Sequence, residues 1–118
     1  MKYVNNVTTL VYYDVPQVLI GQSKEKNYYL AVLYNITDNG VLQYTATQFD
    51  EYNYRNYLFK DTDIRTIILS NDTYLATYDG QSLCLQDEVI TPSEDMLPEP
   101  NCTISELQGR LKLNDLNT

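Results

Sequence analysis

The sequence predicts an α+β fold: a single domain with a mainly antiparallel sheet of five to six strands and one or two short helices inserted near residues 48–69. Three observations carry this reading. Residues 9–36 are the most apolar part of the chain, and punctuation cuts them into three runs too short for typical helices. Asn39-Gly40 and Asp79-Gly80 each sit between strand-like runs, and such pairs readily take the positive φ angles of tight hairpins. Between them, from Thr47 to Ile68, the apolar spacing changes from two to three and four, the helical period.

Residues 1–6 read as a polar lead-in. A first strand over 7–13 ends before Val15-Pro16, because proline brings no N–H to a ladder and pushes its predecessor to extended geometry. A second strand, 17–20, is closed by the polar cluster of residues 21–27, and a third covers 28–36. The turn at 37–40 leads to a fourth, 41–47, whose alternation places Leu42, Tyr44 and Ala46 inward. Thr47 with Asp50 three residues later matches a capping box, so a helix is predicted over 48–58. Asp61 or Thr62 caps a second helix, in which Ile64, Ile67 and Ile68 share one face. Residues 73–78 form the fifth strand and 82–90 the sixth, interrupted near Asp87, with Leu83 and Leu85 inward and Cys84 opposite. Three prolines exclude regular structure from 91–100, and residues 102–113 make one more strand or a short helix. The core spans about 7–104, with 105–118 a tail.

The formal net charge is −8, distributed unevenly. Residues 1–60 hold five acids and five bases, whereas residues 61–106 hold ten acids and the single base Arg65. Such a field repels nucleic acid and membrane surfaces and attracts a basic partner; it also serves solubility alone. Tyrosine is over-used: 12 Tyr against 2 Phe and no Trp. Rings of this kind suit half-buried strand faces, and they also suit recognition surfaces. No apolar signal-peptide core follows Met1, which predicts a reducing, cytoplasmic setting with two reduced thiols, Cys84 and Cys102. The Asn-x-Thr triplets at Asn6, Asn35, Asn71 and Asn101 then have no glycosylation route. The longest apolar or tyrosine run, 28–34, falls far short of the ~20 residues that span a bilayer.

The chain has no histidine, which removes the usual general base, the commonest zinc ligand and every Ser–His or Cys–His nucleophile. Two cysteines 18 residues apart make no zinc site without it. Four isolated glycines form no phosphate loop. The acidic pairs Asp61-x-Asp63 and Asp87-Glu88 have no lysine between Lys60 and Lys112 to complete a metal-nuclease centre. These absences argue against an enzyme, a cofactor or a metal.

Two short motifs stand out. Tyr12-Tyr13-Asp14-Val15-Pro16 reads as a strand ending in an Asp-initiated turn. Leu97-Pro98-Glu99-Pro100 reads as a linker crossing the sheet, or as a proline-rich partner site. Together with Tyr29-Leu30-Ala31-Val32-Leu33 and the helix start Asp63-Ile64-Arg65, they resemble a family of small bacterial proteins with no assigned activity. The resemblance covers about residues 9–104 and departs at Val15 and Gln17-Val18, where the family has Gly and then Leu-Leu or Leu-Phe. It implies a bacterial or phage origin and an α+β fold, and nothing catalytic.

The resulting expectation is a non-enzymatic, acidic protein-binding module that inhibits or regulates a basic, nucleic-acid-handling partner such as a defence nuclease. It binds neither nucleic acid nor membrane itself. Its carriers are Asp72, Asp79, Asp87, Glu88, Glu94 and Asp95, with Tyr74 and Tyr78 as aromatic anchors. The alternative is a regulatory or immunity subunit gripping its partner through Tyr52, Tyr54 and Tyr57 of the first helix. A small-ligand binder is the remote third.

Overall fold

Two strands separated by a single residue lie on opposite edges of one sheet. β1 (Lys2–Val4) and β2 (Asn6–Tyr13) flank Asn5. β2 pairs with β3 (Val15–Gln22), while β1 pairs with the last strand, β7 (Leu83–Ile90). Between them lie β4 (Asn27–Ile36), β5 (Leu42–Asp50) and β6 (Thr73–Tyr78), giving seven antiparallel strands in the order β1-β7-β6-β5-β4-β3-β2. With its two edges joined through Asn5, the sheet curls into a half-barrel. Ser82 Oγ donates to Asn5 Oδ1 at 2.6 Å, tying the junction to the turn before β7. The computed structural model describes residues 2–98, 100 and 102–106.

This overturns the expected α+β arrangement of five to six strands with inserted helices. The fold is mostly sheet, and residues 1–6 are not a lead-in but contain β1 and the start of β2. Three residues are too few for alternation to show, and their strand character comes from pairing Lys2, Tyr3 and Val4 with Leu85, Cys84 and Leu83. The helices α1 (Glu51–Phe59) and α2 (Ile64–Ser70) are short and form a layer outside the curl.

The sheet is buried on both faces near its centre. Its concave face gathers Val4, Leu19, Tyr29, Ala31, Tyr44, Ala46, Ala76, Leu83 and Leu85. On the convex face, Leu30, Val32 and Phe49 pack with Leu10 and with Ile64, Ile67 and Ile68 of α2. The four residues Tyr29 to Val32 of β4 are therefore all buried, two per face, which is why that stretch reads as an unbroken apolar run.

Several boundaries move for identifiable reasons. β5 continues through Asp50, because Phe49 and Asp50 still pair with Tyr28 and Asn27. The cap of α1 is accordingly Asp50, not Thr47; its carboxylate accepts the Asn53 N–H at 2.8 Å. α2 is capped by Asp63, not Asp61 or Thr62. β3 runs through both Pro16 and Gly21. Gly21 is a point of close approach: a Cβ there would meet Val4 Cγ1 at 2.9 Å, so the bare backbone lets β1 cross over β3.

Beyond β7 the chain crosses the helical side. Leu97 and Cys102 pack on the convex core, and the Ile64 N–H donates to the Cys102 carbonyl at 2.7 Å. Residues 104–106 are helical and bury Ile104. The remainder of the expected 102–113 element, and nearly all of the 105–118 tail, lie outside the described residues.

Candidate functional site

The acidic residues singled out in the sequence do not converge on one point. They string along the β6–β7 hairpin and its continuation. Asp72 precedes β6 and Asp79 follows it, so the strand holds them about 23 Å apart at ~3.3 Å per residue. Asp87 and Glu88 sit where β7 bulges: Tyr74 pairs with Val89 and Ala76 with Leu85, so three residues oppose Leu75 alone. The bulge pushes Gln86, Asp87 and Glu88 out of the ladder, and all three are exposed. Glu94 and Asp95 lie in a 3₁₀ turn (Glu94–Met96) on the crossing segment.

Their environments differ. Glu94 pairs with Arg65, the only base of residues 61–106. Asp72, Asp79, Glu88 and Asp95 form no ion pair with a described residue. Asp79 Oδ1 accepts the N–H groups of Gln81 at 2.9 Å and Ser82 at 2.8 Å, bonds that close the hairpin turn in which Gly80 has φ 98°. These donors, Ser82 foremost, hold the Asp79 carboxyl below the usual range. Asp95 is likewise lowered, by the Ser93 hydroxyl that donates to it at 2.6 Å.

Tyr74 and Tyr78 point into the concave core and are half-buried, so neither stands proud of the acidic ribbon. Tyr78 packs edge-on against Tyr44, ring centres 6.1 Å apart, and reaches the mouth of the half-barrel. Of the alternative set, Tyr54 and Tyr57 turn inward onto Phe49 and the convex core. Tyr57 also accepts a hydrogen bond from Asn71 Nδ2 at 2.8 Å. Only Tyr52 is exposed, at 74%, and it shares a helix face with Phe59, at 87%. Phe59 escapes a sequence reading because a phenylalanine at helical spacing looks like core. Tyr3, Tyr12 and Tyr13 are also exposed.

Near the mouth, Tyr3 stands across from Cys84. The Cys84 thiol, and more weakly the Asp79 carboxylate, hold the Tyr3 hydroxyl above its ordinary pKa. On the other side of β1, Lys2 pairs with Glu25 at 2.8 Å, with its ammonium 5.5 Å from the Tyr29 ring centre. Neither cysteine is in a disulfide. Among the described residues, no three of His, Cys, Asp or Glu stand together so as to hold a metal ion, and no helix is long and apolar enough to cross a membrane. Comparison of the chain with family models, curated proteins and solved structures found no match.

Proposed function

We propose that the chain is a non-enzymatic protein-binding module whose acidic ribbon, along β6, β7 and the 3₁₀ turn, receives a basic partner. An inhibitor or regulator of a protein that handles nucleic acid fits this role, since such a partner already carries a groove suited to phosphate. One observation carries the reading. Asp72, Asp79, Asp87, Glu88, Glu94 and Asp95 follow a single hairpin and its extension, a region whose sequence holds one base, Arg65, which pairs with Glu94.

A polycation tests it. Decaarginine titrated into the full chain at low salt is expected to bind, with affinity falling steeply as salt is raised. The quadruple variant Asp72→Asn, Asp79→Asn, Asp87→Asn, Glu88→Gln is expected to lose most of that binding. No binding, or binding indifferent to salt, overturns the proposal. A second reading keeps an apolar contact through α1, favoured by the exposure of Tyr52 and Phe59 on one face. There, Tyr52→Ala with Phe59→Ala abolishes partner binding while the acidic substitutions leave it intact.

A further inference from the structure

The carboxylates of the ribbon are not equivalent in their surroundings. Asp79 borders a cavity of about 680 Å³ where the β4–β5 and β6–β7 turns come together at the mouth of the half-barrel. Its lining is mostly apolar, with Pro16, Val41 and Leu42 alongside two aromatic rings, Tyr3 and Tyr78. The volume is that of a side-chain or small-ligand site, not a packing defect.

Both the charge and one of the rings, Tyr78, are held in place. Asp79 Oδ1 receives two backbone N–H groups, and no other residue among those described bonds the carboxylate. Tyr78 is braced edge-on by Tyr44, whose hydroxyl is anchored on the Pro16 carbonyl at 2.6 Å. A fixed anion beside aromatic faces and an apolar lining is complementary to one common protein group. Guanidinium stacks on aromatic rings and meets a carboxylate as a planar fork, and its methylene stem covers apolar surface. A lysine ammonium is a more strongly hydrated point charge and matches the rings less well.

We infer that this cavity takes an arginine side chain of the basic partner, its guanidinium against Asp79 and the Tyr3 ring and its methylene stem along the apolar lining. The inference rests on the acidic-ribbon reading and specifies where along the ribbon the partner is anchored.

The test is an amide-resolved NMR titration of the full chain at low salt with N-acetyl-arginine amide, beside its neutral isostere N-acetyl-citrulline amide. The arginine probe is expected to shift the amides of Gly80, Gln81 and Ser82 saturably, and to bind about tenfold tighter than the citrulline probe. Asp79→Asn keeps an oxygen for the two turn amides while removing the charge, and is expected to weaken the arginine probe about tenfold. Tyr3→Ala, at an exposed position outside the core, is expected to weaken it about threefold. Equal response to both probes, shifts confined to the Asp87–Glu88 bulge, or wild-type binding by a folded Asp79→Asn variant overturns the inference. Decaarginine separates the two levels. If it binds wild type and Asp79→Asn equally well, the ribbon stands and the cavity falls; if it does not bind wild type at all, both fall.

Discussion

The Tyr44 hydroxyl donates to the Pro16 carbonyl at 2.6 Å, joining β5 to the start of β3 across the concave face with β4 lying between them. Strands that are not neighbours in the ladder are thus connected through the inside of the curl. Tyr44→Phe removes this bond and is expected to lower stability by about 1 kcal/mol, read from the urea midpoint.

The same phenol makes stability depend on alkaline pH. Burial first, and then the neighbouring Tyr78, push its pKa up to about 12, above the ordinary 10.0. A raised folded-state pKa gives a contribution fully present below pH 10 that is lost as pH rises towards 12, because the unfolded chain releases the proton first. Urea midpoints measured across that window are expected to fall more steeply for wild type than for Tyr44→Phe.

At Gly21, β3 passes close to Val4 of β1. Gly21→Ala places a methyl 2.9 Å from Val4 Cγ1, and overpacking of this kind is expected to cost about 1–3 kcal/mol. A double-mutant cycle with Val4→Ala checks the cause. The double variant is expected to be more stable than the sum of the single losses, because the shortened side chain vacates the space.

Thr45 is fully buried, and its hydroxyl has no hydrogen-bond partner among the described residues. Thr45→Val keeps the shape and removes the unsatisfied group. It is expected to raise stability by about 1 kcal/mol, a rise of ~3–6 °C in melting temperature by calorimetry. Thr47 serves as the contrast: its hydroxyl lies 2.9 Å from that of Thr73, and Thr47→Val is expected to destabilise.

Asp50 caps α1 directly at the end of β5, with no loop between strand and helix. Asp50→Ala is expected to cost about 1 kcal/mol through loss of the bond to the Asn53 N–H. By contrast Glu94→Gln, which removes the charge of the exposed partner of Arg65, is expected to change stability by no more than about 1 kcal/mol. Thermal melts of the two variants side by side check both.

Much of the sheet was legible from neighbouring residues. The alternation of Leu42, Tyr44 and Ala46, the inward Leu83 and Leu85, the interruption near Asp87 and the isoleucine face of α2 all appear where their spacing places them. Pro16 and Gly21 misled, because each is usual punctuation yet lies inside β3. The candidate site was legible as composition only. That residues 61–106 are acidic follows from a count, but that Asp79 borders the mouth cavity with Tyr3 does not.

By itself, then, the sequence determined the local periods, the places of the tight turns, the inward leucines of the strands, the isoleucine face of α2 and the asymmetry of charge. Only the tertiary structure decided that β1 and β2 would close the two edges of one sheet, that Gly21 would yield space to Val4, and which aromatic rings would remain outside. The division has a physical cause. Periodicity and turn geometry arise among residues a few positions apart, where sterics and backbone hydrogen bonding act directly. Edge closure, close approach and the exposure of an amphipathic tyrosine depend on partners from the other end of the chain, and no local pattern encodes them.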